Sequence, residues 1–548
     1  MRPPGFIWSA RRSTQCYVLI LAVTLVAVML RAPRLRQRPM HTDEAVHAEK
    51  FRLLLEEGTY TYDPNEYHGP TLNYLTLIPA WLTSAQKLTE ITEFTLRIVP
   101  VFFGLVLIVL LVPAARGLGL GAATCAALLA AVSPAMVFYS RYYIQETLLV
   151  CFTFGVIVTG YRYAQGRNVL WILLTGVFLG LMHASKETCV VAVGSMALAL
   201  LLAHRLGPAL AVVKATRRSD LVICLAAAAL VSALFHSSFL SNPSGVVDSA
   251  RTYLTYVDRA GSNDVHIHPW YYYLKMLVCF KSGDGPFWSE GLIVLLAAVG
   301  FVVALRAKGS AGTSCALVRF VAFYTLMMTV IYSAIPYKTP WCVLGFLHGM
   351  ILLAGVGAVA LIGWAPKGLP RLVTLGLLTA GLVHLIWQSY LCNYVYYADN
   401  RNPYVYAHTT EDVFHVVERV EEMAMAHPDG HRMHVQVICP KHDYWPLPWY
   451  LRHFEKDSID WLDQVVDGQP SAPLIIASDK VEAALSNKLY TSTPLENRQL
   501  YLYLFEQRPY YMWLRPKVKL FGFVRKDLWE SAQRVTRPTT RPETKEVK

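Results

Sequence analysis

Long apolar stretches alternate with short polar ones through the first four hundred residues. Eleven stretches come close to the length that a helix needs to cross about 30 Å of hydrocarbon. They are residues 15–31, 98–115, 119–139, 144–163, 168–184, 188–204, 219–237, 287–305, 316–335, 341–363 and 371–391. The first follows Arg11 and Arg12 as a signal peptide would. It is expected to remain an uncleaved span, because Arg31, Ala32, Pro33 and Arg34 follow it in place of a small-residue cleavage site. Beyond Asn400-Arg401-Asn402-Pro403 the pattern changes to mixed polar. Val413, Phe414, Val417, Val420 and Met423 recur at helical spacing within 410–427. Residues 433–439 and 473–478 read as short strands, and 480–488 as a helix after Asp479. The pattern predicts a polytopic α-helical membrane protein of about eleven transmembrane helices with a C-terminal α/β domain. The transmembrane module is expected over 1–398 with a first outer loop at 32–97, the soluble domain over 399–535, and a disordered tail over 536–548.

Composition fits this division. Of 548 residues, 54% are hydrophobic and 16% charged, against about 25% charged in soluble proteins. The net charge of +12 does not describe a nucleic-acid-binding stripe, because the cations sit in short loops between apolar stretches. With the N-terminus cytoplasmic, the inner loops hold Arg116; Arg162 and Arg167; Arg205, Lys214, Arg217 and Arg218; Arg306, Lys308 and Arg319; and Lys367 and Arg371. This is the arrangement of the positive-inside rule. An odd number of spans then places the C-terminal domain outside the cytoplasm, in an inner or plasma membrane. Arg31, Arg34, Arg36 and Arg38 fall on the outer side against the rule, where gripping lipid phosphate would account for them. Nine of the ten cysteines lie in or beside apolar stretches without a CxxC pair, as small apolar packers do.

The unusual polar residues gather at the outer segments. Asp43 and Glu44 follow the first span, and on a helix Asp43 and His47 share a face. The same residues also read as the N-cap of an interfacial helix running through Glu57. His68 lies in a loop rich in turn formers. Arg141, which could snorkel to headgroups, and Glu146 open the fourth span, and Lys186 and Glu187 lie between the fifth and sixth. Lys338 stands on a corner built from Pro336, Tyr337, Pro340 and Trp341. A carboxylate pair facing several cations suits an anionic lipid headgroup: cations hold the phosphate and a carboxylate takes a proton from a nucleophile. A divalent cation on His41, Asp43, Glu44, His47 and His68 is the alternative use of these groups, without a fixed ligand spacing. In the C-terminal region, Trp445–Arg452 reads either as an interfacial docking helix or as an aromatic platform, with Trp445 and Trp449 stacking a sugar.

The acidic pair after the first span, on a bundle of about eleven spans, resembles the GT-C class of membrane glycosyltransferases, with protein O-mannosyltransferases and aminoarabinose transferases as relatives. More narrowly, His41–Glu44, Tyr67–Pro70, Ser140–Tyr143, Pro336–Trp341, Asn402–His408 and Trp445–Arg452 resemble a prokaryotic family described as flippase-activity-associated. The resemblance implies a polyprenyl-phosphate-linked sugar as donor, a hydroxyl acceptor on a protein or glycan, and transfer on the outer face. It implies Asp43 as general base and Glu44 as its helper. The charges suggest substrate contacts from His47, His68, Arg141, Glu146, Lys186 and Lys338. The competing expectation is a non-enzymatic component of lipid-linked oligosaccharide translocation or assembly. It is disfavoured by the apolar inner half and the bland inner loops, since transport needs polar groups through the depth of the membrane.

Overall fold

The computed structural model describes residues 10–65, 68–206, 216–262, 266–306 and 314–536. Tyr67, Lys214, Lys308 and, of the tail expected over 536–548, residues 537–548 lie outside the described residues, while Thr536 ends a helix. The chain divides into two compact units: one of residues 1–36 and 50–406, the other of 37–49 and 407–548. The first outer loop expected at 32–97 is thus shared between the two.

The first unit is a helical bundle, and all eleven apolar stretches form helices in it. They are α1 (Ala10–Arg31), the pair α4 (Glu93–Val109) and α5 (Leu111–Leu118), the pair α6 (Leu120–Val132) and α7 (Pro134–Ser140), α8 (Glu146–Gly166), α9 (Val169–His183), α10 (Cys189–Arg205), α11 (Arg218–His236), α14 (Gly291–Arg306), α15 (Cys315–Ala334), α16 (Leu344–Trp364) and α17 (Leu369–Tyr390). Between them lie α2 (Thr42–Glu56), which runs across the boundary of the two units, α3 (Thr71–Leu82), α12 (Gly245–Ser262) and α13 (Tyr272–Val278). Among the described residues, seven helices are long and apolar enough to cross a membrane, and the bent pair α6–α7 makes an eighth. Helices α9, α10 and α14 are apolar but shorter, at 15, 17 and 16 residues.

The burial of these helices is graded. Most of residues 340–364, ending in α16, are buried and pack against α6, α14 and α15, whereas the stretch from Leu369 through α17 is largely uncovered. Leu369, Leu372, Leu377 and Trp387 on α17 are exposed. So much uncovered apolar surface is stable only against lipid. Helices α14 and α16 approach closely because Gly300 and Gly357 face one another's helix. A Cβ on Gly300 would lie 2.0 Å from the Leu353 carbonyl, and one on Gly357 2.1 Å from that of Leu296.

The third predicted span is broken. Helices α6 and α7 meet at 61°, because Pro134 carries no N–H and holds Ser133 extended. The amides freed at the start of α7 are met by Glu290. Its carboxylate accepts from the Ala135 N–H (2.9 Å), the Ser133 hydroxyl and the Tyr404 hydroxyl (2.6 Å).

The basic loop ends of the bundle meet one another. Ser314 N–H donates to the Gly117 carbonyl (2.7 Å), Arg319 to that of Leu206 (2.6 Å), Arg167 to the Thr216 hydroxyl (3.3 Å), and the Tyr163 hydroxyl to Asp220 (2.6 Å). Two of the four dissenting arginines have a structural task in place of lipid binding. Arg31 is buried and donates to the carbonyls of Ala130 and Ala131 (2.8 and 2.7 Å), at the open C-terminus of α6. Arg38 faces Glu44 at 3.4 Å.

The second unit carries a six-stranded sheet of β1 (Val435–Ile438), β2 (Ile459–Leu462), β3 (Leu474–Ser478), β4 (Tyr501–Tyr503), β5 (Tyr511–Arg515) and β6 (Val518–Arg525). The order is β2-β1-β3-β6-β4, with β5 also on β6; β1 is parallel to β2 and β3, and the remaining pairs are antiparallel. Helix α18 (Asp412–Ala426) packs on β5 and on α21 (Lys526–Thr536), while α19 (Leu447–Tyr450) and α20 (Glu482–Asn487) are short. The apolar face of α18 is Val413, Val416, Val420 and Met423; Phe414, expected inside, is exposed.

Candidate functional site

The acidic pair sits on the first turn of α2, within the second unit. His41 precedes the helix and caps it: Nδ1 accepts the Asp43 N–H at 3.0 Å, and the Glu44 carboxylate accepts the His41 N–H at 3.0 Å. The two bonds have the reciprocal form of a capping box, with histidine in the usual Ser or Thr place and its ring accepting the second helical amide in place of the third. Because Nδ1 accepts, the ring proton of the neutral imidazole is on Nε2, and the 3.7 Å approach of Nδ1 to Asp43 is not an ion pair. The two carboxylates therefore differ. Glu44 is fully buried and turned toward Arg38 and the His41 amide. Asp43 keeps 41% of its side-chain surface open. His47 lies one turn further along α2 and is buried.

In the first unit, two sequence motifs dock on each other. Thr71 N–H donates to the Ala184 carbonyl (3.2 Å), and the Thr71 and Ser185 hydroxyls lie 2.7 Å apart. Gly69 is needed at this contact, since a Cβ there would come 2.2 Å from the Ala184 oxygen. The docking brings His68 Nδ1 to 2.9 Å from the Glu187 carboxylate, which also accepts from the Tyr62 hydroxyl at 3.1 Å. Burial works against the Glu187 charge, but His68 and the neighbouring donors outweigh it and hold the carboxyl down at about 2. Next to it, buried Lys186 is paired with buried Glu146. Burial disfavours the ammonium, and Glu146 more than offsets this, so the group is held above its ordinary value.

The remaining cations have inward partners. Arg141 donates to the carbonyls of Arg31 and Pro33, each at 2.8 Å, and to the Tyr394 hydroxyl at 3.1 Å, with its guanidinium over the Tyr394 ring. It closes the C-terminal turn of α1, where carbonyls lack helical partners, so it is a structural cap where a phosphate ligand was expected. Lys338 is buried and donates to the His268 carbonyl at 3.1 Å and to that of Ile335.

The aromatic platform expected in the second unit is not open at Trp449. That ring is buried beneath the Arg452 guanidinium, 3.9 Å from its centroid; Trp445 is half-buried. Among the described residues no three His, Cys, Asp or Glu side chains gather in a way that could hold an ion, and Glu44 is turned to Arg38. Four residues that sequence reasoning did not single out have evident tasks: Glu290, Asp443, Lys480 and Arg515. Glu290 carried a signal, a lone acid within a predicted span; the others carried none, because their partners are distant in sequence.

Residues 76–237 match the family described as dolichyl-phosphate-mannose-protein mannosyltransferase. No curated protein matches the sequence. Among solved structures the chain is similar to ArnT from Cupriavidus metallidurans bound to undecaprenyl phosphate, with a TM-score of 0.59 at 15% identity over 93% of this chain and 98% of that one. It is also similar to the oligosaccharyltransferase of Archaeoglobus fulgidus tethered with an acceptor peptide, with a TM-score of 0.51 at 12% identity over 80% of this chain. The chain spans 63% of that enzyme's length. The chain has the GT-C fold. The matched stretch contains Arg141, Glu146, Lys186 and Glu187 of the GT-C bundle; Asp43, Glu44, His68, Lys338 and the second unit lie outside it.

Proposed function

We propose that this chain transfers a sugar from a polyprenyl-phosphate carrier to a hydroxyl acceptor on the non-cytoplasmic side, with inversion and with Asp43 as general base. The observation that carries the reading is the asymmetry of the acidic pair. Glu44 is buried and serves the helix cap, while Asp43 is held by the same cap and remains open to an acceptor. Support for the donor comes from the GT-C relatives, since the similar ArnT structure holds undecaprenyl phosphate.

In the proposed step the acceptor hydroxyl gives its proton to Asp43 as its oxygen bonds the anomeric carbon. The bond from that carbon to the phosphate oxygen breaks, and the electron pair leaves with the lipid phosphate.

The test is transfer by the full chain in lipid nanodiscs, offered a panel of undecaprenyl-phosphate sugars, with release of undecaprenyl phosphate measured and the product anomer read by NMR. Asp43→Asn should lower turnover by roughly 10²–10⁴-fold with the fold intact. Undiminished transfer in that variant would rule out the role, and retention of the anomeric configuration would rule out the one-step mechanism.

A further inference from the structure

The acidic-pair segment belongs with the C-terminal residues as one unit, and the three residues before Asp43 are contacted from there. The Met40 N–H donates to the Tyr450 hydroxyl at 2.8 Å, and the Met40 carbonyl accepts from Thr409 at 2.7 Å. The His41 ring lies 4.8 Å from that of His408. The last and most specific grip is on Thr42. Arg515 Nη1 donates to the Thr42 hydroxyl at 3.1 Å and to the Trp445 carbonyl at 2.5 Å, while Nη2 donates to Asp443 at 2.6 Å. Asp443 is fixed in turn by Lys480 at 2.5 Å.

Arg515 is well placed to be rigid. It ends β5, where the register against β6 shifts between Trp513 and Arg515. The strand is also braced from its other side: Trp513 N–H donates to Asp412 at 2.9 Å, and Thr410 N–H donates to the Leu514 carbonyl at 2.9 Å. A guanidinium presents its donors in a fixed planar fork. With three acceptors satisfied at once, that fork defines one position for the Thr42 side chain, and hence for the peptide that begins Asp43.

We propose that Arg515 is a positioning residue for Asp43. Through Thr42, and backed by Asp443 and Lys480, it sets the first turn of α2 so that the Asp43 carboxylate is held in one orientation. The proposal rests on the reading of Asp43 as general base, and it makes the C-terminal unit part of the transfer machinery. Groups that act on a reacting atom need placement within about 0.5 Å of the productive geometry, and Arg515 adds to the local cap a fixed point from outside the segment.

The experiment uses the full chain in nanodiscs with Arg515→Gln, Arg515→Lys, Thr42→Val and Thr42→Ser. Hydrogen exchange is read at the amides of residues 43–45, and kcat and KM are read for whichever undecaprenyl-phosphate sugar the wild type uses. Arg515→Gln and Thr42→Val should each speed exchange there about tenfold, as loss of one charge-assisted hydrogen bond would. They should lower kcat by a similar factor and leave the donor KM within about twofold, the split expected when only transition-state geometry is lost. Thr42→Ser keeps the hydroxyl and should behave as wild type, and Arg515→Lys should fall between. Thr42→Val removes the same hydrogen bond from the other end, so the test survives if Arg515→Gln does not fold. Unchanged exchange in both variants, or lost protection with unchanged kcat, overturns the proposal. If the wild type transfers no sugar, or Asp43→Asn is as active as wild type, the proposed function fails, and with it the positioning role for catalysis. The exchange result then still decides whether Arg515 holds the segment.

Discussion

At the scale of single residues, the two neighbours Lys186 and Glu187 show how a buried charge survives at the head of a helical bundle. Each has a partner brought from elsewhere: Glu146 for the ammonium, His68 and Tyr62 for the carboxylate. Lys186→Met should leave Glu146 buried and unpaired, at about 3–5 kcal/mol. The double variant with Glu146→Gln should recover much of that loss in a thermal melt. Glu187 predicts a pH effect with a definite sign. Its carboxyl is held down at about 2, below the ordinary value, so its ionised form adds stability above about pH 4.5, roughly 3 kcal/mol on the size of that shift. The contribution fades as the pH falls toward 2. Comparison with Glu187→Gln between pH 6 and 3 should show the wild type losing its advantage as acid is added; a constant gap would exclude the His68 pairing. The sequence displayed Glu146, Lys186, His68 and Lys338 as conspicuous polar residues, but not their partners. Glu146 and Lys186 are 40 positions apart, and His68 and Glu187 are 119. Arg141 misled for a related reason. A cation near a span end looks like a headgroup ligand, and only the fold reveals that an open helix C-terminus stands before it.

At the scale of elements, helix-forming periodicity carried most of the information. Each apolar stretch in the sequence became a helix, since the length that spans hydrocarbon is a strong constraint. What the pattern hid is the angle at Pro134, because a proline within an apolar run reads equally as a kink and as a break. The short strands were harder. β1 and β3 are buried throughout and stand out as apolar runs, whereas β2, with one buried residue, and β4, of three residues, leave little trace. The close contact of α14 with α16 makes its own prediction. Gly300→Ala and Gly357→Ala should each push the two helices apart, at about 1–3 kcal/mol of overpacking, seen as a lower melting temperature of the purified protein. Gly363→Ala on the same helix α16, where no atom lies within 4 Å of a Cβ, should melt as wild type. Equal behaviour of all three variants would mean that the helices are not in this contact.

At the scale of the whole molecule, the number of crossings decides on which side chemistry can occur. Among the described residues, seven long spans and one bent pair account for eight crossings; the three shorter apolar helices α9, α10 and α14 raise this to eleven. The parity matters. Eleven crossings put the two chain ends on opposite sides, and eight put them on the same side. The short helices have reason to cross despite their length. Arg205 and Arg306 stand at the last turn of α10 and α14, where long cationic side chains reach the interface, and the positive-inside rule assigns those ends to the cytoplasm. Nine of the eleven crossings, but six of the eight, separate exposed Arg116 at the end of α5 from Lys441, exposed on the second unit, so the odd count puts these two residues on opposite sides. With exposed Cys279 first replaced by serine, Lys441→Cys should react with an impermeant maleimide in intact cells, and Arg116→Cys only after permeabilisation. Labelling of both from the same side would remove the odd count. If both react only after permeabilisation, Asp43, which belongs to the same compact unit as Lys441, lies on the face where the proposed outer acceptor is absent.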